Sequence, residues 1–280
     1  AFIMDKTKKI LTKILLYFVE IFVIVVSIFP ILWVIASSFK TNGEILSSPL
    51  ALPSSISFEP YIHLFQEYNF PIYFLNSLLA AGISTFVSLL FYAMGGYVIA
   101  KFRFPGRGLL FALFTVTLLV PGHSRTQPIF SLITQLNLYD SIWGVTVVYL
   151  SAGMAMSIFV LKAGFMAIPA SLDEAAGLEG CGFFRTFWSI NLPLAKSALS
   201  TAGILMFLGN WNEYYFASLL TVSDTQRTLP IALAFFTSEF SYNYTSLFAA
   251  LTIVVLPGII LYAFAQEQVQ ASVVSSGVKG

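Results

Sequence analysis

The chain has 280 residues, of which 58% are hydrophobic and 10% charged, with a mean hydropathy of +0.85 and a formal net charge of +1. Soluble domains carry about 25% charged residues, so this composition cannot cover a water-facing surface and points to a membrane protein. The near-neutral balance excludes the basic footprint of a nucleic-acid binder, and the single cysteine, Cys181, excludes an internal disulfide or a cysteine cage for a metal. His63 and His123 lie far apart, and neither an HExxH pattern nor a GxxxxGK[ST] phosphate loop occurs, so any nucleotide hydrolysis must come from another chain.

Six apolar stretches are predicted as helices, because backbone groups in lipid must bond within their own segment. The first covers 14–37 and follows Lys6, Lys8, Lys9 and Lys13. Its uncharged core, 21–39, is too long for a signal-peptide core and long enough to span, so an uncleaved anchor is expected. A polar, turn-rich stretch at 38–72 follows, carrying Pro49, Pro53 and Pro60; it reads as an extracytoplasmic lip. The second and third stretches are 73–100 and 108–124, the third being barely long enough to cross. Met94-Gly95-Gly96-Tyr97 in the second lets helices approach closely. The fourth, fifth and sixth are 142–163, 198–220 and 247–266, with a short re-entrant or interfacial run at 229–236. No inverted repeat or matched broken helices are evident, which speaks against a stand-alone secondary transporter.

The cationic residues orient this six-span chain. With a cytoplasmic N-terminus, eleven fall inside (Lys6, Lys8, Lys9, Lys13, Lys101, Arg103, Arg107, Lys162, Arg185, Lys196, Lys279) and three outside (Lys40, Arg125, Arg227). The termini, 1–13 and 271–280, and the loop 169–196 between the fourth and fifth helices are then cytoplasmic. Residues 73–270, that loop included, are expected to form a core of five membrane-spanning helices.

That loop holds DEAAGLEGCGFFRTFWSINLP. Pro169 redirects the chain, and Ser171-x-x-Glu174 reads as a capping box, with Asp173 and Glu174 suited to the positive end of a helix. Ala175 and Ala176 favour helix; Gly180 and Gly182 are expected to stop it in left-handed turns. Phe183, Phe184, Phe187 and Trp188 then form one apolar face of a second short helix that Pro193 ends, giving an L-shaped elbow.

The fixed positions Glu174, Ala175, Ala176, Gly180, Ile190, Leu192 and Pro193 satisfy EAA-x3-G-x9-I-x-L-P without a gap. With AKFRFPGRG, GNWNEYYFASLL and the ending SSGVKG, the chain resembles over nearly its whole length the carbohydrate-uptake ABC importer permeases, and within them the shorter, second permease of the maltose type. The resemblance implies a non-catalytic membrane subunit in the plasma (inner) membrane of a prokaryote. Its first elbow arm would be a coupling helix seated in a groove of a cytoplasmic ATPase dimer. ATP and Mg would bind that partner, with no cofactor on this chain. A second, different permease subunit and an extracytoplasmic sugar-binding protein complete the expected partners, beside membrane lipid and no nucleic acid. Ser171, Asp173, Glu174, Ala175, Ala176 and Gly180 would carry ATPase coupling. The tail Ser276, Gly277, Val278, Lys279 and Gly280 would reach the ATPase interface.

In GNWNEYYF, at 209–216, Asn210, Glu213, Tyr214 and Ala217 share one helical face by i, i+3, i+4, i+7 spacing. Amides, a carboxyl group and aromatic rings suit sugar hydroxyls and ring faces, so this face is expected to line the substrate path. The alternative is that Asn210, Asn212 and Glu213 bond across helices and hold the bundle together. A non-sugar or charged-glycan cargo stays open beside the sugar reading.

Overall fold

The computed structural model describes residues 2–239 and 243–277, with side chains described over 11–66, 68–234, 243–264 and at 266. Among the described residues every regular element is helical. Three helices are long and apolar enough to cross a membrane, and up to six spans result if each bent pair counts as one.

The chain forms two compact units. The first takes Ala1–Tyr68 and Phe235–Val255. It contains α1 (Phe2–Ser37), whose side chains from Leu11 to Leu32 are exposed, as suits a helix surrounded by lipid. The lip that follows is not a bare loop but carries α2 (Asn42–Ser47) and α3 (Glu59–Glu67). Here a capping box does close: the Glu44 N–H donates to Thr41 Oγ1 at 3.3 Å and the Thr41 N–H to Glu44 Oε2 at 2.8 Å. Hydrogen bonds, first from the Ser54 hydroxyl and then from the Thr41 backbone, pull the exposed Glu44 carboxyl down to a pKa of about 2. Lys40, buried, donates to Pro49 O at 2.8 Å, and Trp33 Nε1 reaches the same oxygen at 2.7 Å.

The second unit takes Asn69–Ala234 and Leu256–Gly280. Its axis is α4 (Phe70–Lys101), about 48 Å long at 1.5 Å per residue. After α5 (Arg107–Val116) and a 3-10 turn, the third stretch bends by 103° at Val120-Pro121 into α6 (Thr126–Gln135). The fourth is also broken. Helices α7 (Ile142–Leu150) and α8 (Met154–Met166) meet at 46°, with Gly153 at φ +67° in the break, a conformation that suits glycine. Helix α9 (Ala170–Leu178) leads through Gly180 to α10 (Phe183–Thr186), a π segment Phe187–Asn191 and α11 (Leu192–Leu194). A 79° bend at Ala195 opens α12 (Lys196–Trp211); α13 (Tyr215–Leu220) follows, and α14 (Leu229–Glu239) begins in this unit and ends in the first. Helix α15 (Tyr244–Gly277) begins in the first unit and ends in the second. Broken helices, which the hydropathy pattern does not reveal, are therefore a main feature of the core.

Small residues set the spacing. A Cβ added at Gly96 would lie 3.0 Å from Leu161 Cβ, and one at Gly164 only 2.3 Å from Ala198 Cβ. These glycines let α4 and α12 lie directly on α8; of the pair expected to allow close approach, Gly96 makes it, while a Cβ at Gly95 would meet nothing within 4 Å. Tyr97, Phe165 and Phe187 fill the core beside the elbow, with ring centroids 5.1–6.2 Å apart.

Candidate functional site

The elbow forms with different chemistry from the capping box predicted for it. Helix α9 starts at Ala170, one residue after Pro169, and no side chain caps its first turn. Ser171 is thus already inside the helix, and the expected Ser171–Glu174 box does not close. Pro169 has a fixed φ of −56° and the helix-favouring Ala170 follows, so the first turn is set upstream of the serine. Gly180 does adopt the left-handed conformation, φ +77°, and Cys181 N–H bonds Ala176 O at 2.9 Å to close the helix end. Gly182 does not; it is extended, φ −74° and ψ 169°, and precedes α10.

The second arm carries its aromatic residues as expected but departs from the prediction at its end. Of the four aromatic residues only Phe187 is buried, while Phe183, Phe184 and Trp188 are exposed. Pro193 does not end the arm but sits in α11, and the turn comes at Ala195. Proline has no N–H to donate, and the segment before it widens into a π turn in which Leu192 N–H bonds Phe187 O.

Helix α9 divides the predicted coupling residues between two faces. Ser171, Glu174 and Ala175 are exposed, together with Leu178, which is 91% exposed. These four recur at i, i+3, i+4 and i+7 and form one stripe. Ala176 is buried and Asp173 half-buried on the side that faces the chain's own core. The ammonium of Lys101, the last residue of α4, lies 2.7 Å from Asp173 Oδ2 and donates to Ile168 O at 2.8 Å. The other carboxylate oxygen, Oδ1, accepts from Asn191 Nδ2 at 2.6 Å. Neither Leu178 nor Lys101 was singled out from sequence. The period of the exposed stripe could have disclosed Leu178; the Lys101 pairing joins residues 72 positions apart and leaves no local signal.

The proposed path residues do not share one continuous helix face. The chain leaves the helix at Asn212, Glu213 and Tyr214, between α12 and α13. Buried Asn210 donates to Ser84 Oγ of α4 at 3.0 Å. The Glu213 carboxyl caps α13, accepting from Phe216 N–H at 2.8 Å and Ala217 N–H at 3.1 Å. It also accepts from the Tyr149 hydroxyl at 3.0 Å, and Tyr149 is the penultimate residue of α7. Glu213 thus ties the break in the fifth stretch to the end of α7, where the fourth breaks. Ala217 is buried, Tyr214 exposed, and the Asn212 side chain donates back to Leu208 O of α12. Trp211 packs between Phe207 and Phe74. The hydroxyls of Ser88 and Tyr92 both donate to Leu150 O at 2.6 Å, satisfying a carbonyl that the break at 151–153 frees.

At the far end of α4 a polar cluster closes the unit. Asp224 accepts from the Tyr73 hydroxyl at 2.7 Å and from Arg227 at 3.1 Å, and Asn76 donates to the carbonyls of Thr225 and Arg227. Asp140 accepts from the Val222 and Ser223 N–H groups at 2.7 and 2.8 Å and from the Ser223 hydroxyl. The Tyr73 bond first, and then Asn69 and Arg227, lower the Asp224 pKa; the Ser223 bonds lower that of Asp140. Of the tail, the Ser276 side chain and all of Val278, Lys279 and Gly280 lie outside the described residues, and Gly277 is the last residue of α15.

This helical architecture, with its elbow and broken helices, is that of a multi-pass membrane protein. A solved bacterial ABC transporter that imports the acidic polysaccharide alginate shares the fold, with a TM-score of 0.80, 24% identity, and 93% of this chain and 97% of that chain covered. The chain belongs to the family described as binding-protein-dependent transport system inner membrane component, whose model matches residues 92–275. It is similar to the diacetylchitobiose uptake system permease protein NgcG of Streptomyces coelicolor, 33% identical over 89% of this chain and 83% of that one. It is also similar to the trehalose transport system permease protein SugB of Mycobacterium tuberculosis, 30% identical over 91% and 93%. The chain is accordingly an ABC transporter permease of the membrane.

Proposed function

We propose that this permease carries a sugar or oligosaccharide inward, driven by a separate cytoplasmic ATPase that grips α9. The exposed stripe of Glu174, Ala175 and Leu178 within the EAA pattern is the observation that carries this reading. Helix α9 is nine residues long and projects an acid, a methyl group and a bare leucine from a backbone held behind by Ala176 and Asp173. A side chain as exposed as Leu178 gains most by entering an apolar socket, burial being worth roughly 1.5–3 kcal/mol. Gly180 sets the bend.

The six-span reading, with 1–13, the 169–196 loop and 271–280 cytoplasmic and 38–72 outside, rests on the Lys and Arg distribution. The 73–270 core pairs with a second, different permease, and an extracytoplasmic binding protein delivers the sugar. The subunit itself catalyses nothing; ATP and Mg act on the partner. Diacetylchitobiose and trehalose in the relatives' names favour a carbohydrate. Along the path, Tyr214 at the break faces the cargo, with Asn210, Glu213 and Ala217 holding the break in place. Irregular backbone at membrane depth is tolerated where it lines a cavity, which supports placing the path here.

Purification of the tagged permease with its partners tests the docking. Glu174→Lys and Leu178→Asp are expected to release the ATPase, while Ser54→Ala, in the lip, leaves it bound. An ATPase that remains bound to both elbow variants would refute the reading.

A further inference from the structure

We infer that Asp173 is not an ATPase contact but the centre of an internal clasp that makes α9 a rigid lever, a reading that rests on the docking role of α9 proposed above. One carboxylate joins three elements. Its Oδ2 takes the Lys101 ammonium at 2.7 Å, and its Oδ1 takes the Asn191 amide at 2.6 Å. Lys101 terminates α4, and its second bond, to Ile168 O at 2.8 Å, reaches the link between α8 and α9. Asn191 is fully buried in the π segment of the second arm, where its amide also donates to Thr186 O at 3.3 Å. The contacts turn inward, on the face opposite the Glu174 stripe. The side chains of Lys101 and Asp173 are only 10% and 24% exposed.

The mechanical consequence follows from where the joints lie. Helix α9 is bounded by Pro169 on one side and left-handed Gly180 on the other. Two such hinges would let a short helix rock independently of the core. The clasp ties its first turn to the end of α4, a helix of 32 residues, and to the arm leading into α12. A displacement applied at Glu174 and Leu178 is therefore delivered to α4 and α12 together instead of being absorbed at the hinges. Charge-assisted bonds hold this geometry more firmly than neutral ones. Asp173, Lys101 and Asn191 are positioning residues for coupling.

The test uses the full transporter reconstituted in liposomes, with Asp173→Asn, Lys101→Met and Asn191→Leu, and with Lys101→Arg as the conservative control. Three quantities are read: ATPase retained on the purified complex, substrate taken up per ATP hydrolysed, and the mobility of a spin label on Cys181, the chain's only cysteine, with the partner chains cysteine-free. The disruptive variants are expected to retain the ATPase, to lower uptake per ATP by at least about fivefold, the low end of typical couplings between sites, and to raise label mobility. Lys101→Arg should preserve both coupling and label mobility. Unchanged uptake per ATP and unchanged mobility in Asp173→Asn would overturn the clasp while leaving docking intact. Release of the ATPase by Asp173→Asn as complete as by Glu174→Lys would overturn it too, making Asp173 a contact. If Glu174→Lys itself left the ATPase bound, docking would fail instead, and the label would still decide whether the clasp holds α9. Should Asp173→Asn not fold, Lys101→Met and Asn191→Leu each break one limb and are read in the same way.

Discussion

Gly164→Ala is the sharpest test of how the elbow is rooted. Gly164 lies in the last turn of α8, just before α9, and faces Ala198 in the first turn of α12, just after the second arm. A Cβ at position 164 would sit 2.3 Å from Ala198 Cβ, with Ala198 Cα next at 3.8 Å. Carbon atoms rest at about 3.5–4.0 Å, so the two helices must part by roughly 1.2–1.7 Å. Neither atom can rotate away, because both are fixed to helix backbone. Overpacking of this kind costs about 1–3 kcal/mol, and the rigidity of the contact places it near the top of that range. At roughly 2–4 °C per kcal/mol, melting of the purified protein in detergent should fall by about 5–10 °C. Ala198→Gly removes the opposing methyl, so the double variant Gly164→Ala/Ala198→Gly should recover most of the loss. Gly95→Ala is the control, since nothing lies within 4 Å of a Cβ there. A Gly164→Ala protein that melts with wild type, or a double variant no better than the single, would show that α8 and α12 do not meet as described.

Two further predictions concern the rest of the second unit. Glu213→Ala should destabilise the protein by about 1–3 kcal/mol, since it leaves the Phe216 and Ala217 N–H groups without their cap, and Tyr149→Phe should cost less because it removes one hydroxyl bond; denaturation in detergent compares them, and equal losses would refute the capping role. Asp140 and Asp224 have folded pKa values below the ordinary 3.8, so their contribution is fully present above that value and is lost as the pH falls through the lowered folded values. Melting temperature should therefore drop on acidification below about pH 4, with a shallower acid slope in Asp140→Asn and Asp224→Asn; identical slopes in variants and wild type would refute the assignment.

Much of this protein is written in local terms. Low charge and long apolar runs suffice for a helical membrane protein, because hydrocarbon leaves the backbone no other partner than itself. The elbow signature is equally local: Pro169, two alanines and Gly180 act through their own φ preferences. Local terms are also where prediction erred. Ser171-x-x-Glu174 and Thr41-x-x-Glu44 carry the same signature, yet only the second closes, since in the first the helix has already begun at Ala170. The breaks at 151–153 and 212–214 lie within runs whose hydropathy is uninterrupted enough to read as spans. Apolarity measures whether a segment enters lipid, not whether its helix is continuous.

What sequence determined by itself was the class of protein, the position of the elbow and the residues that the elbow carries. Tertiary structure alone decided which of those residues face outward. Asp173 and Glu174 are adjacent acids of one charge on one helix, and neither charge nor helix propensity says which of them faces outward. Lys101 and Asn191 turn one of them inward, from 72 positions before and 18 after. Such pairings depend on which helix ends meet in space, and no local preference encodes that.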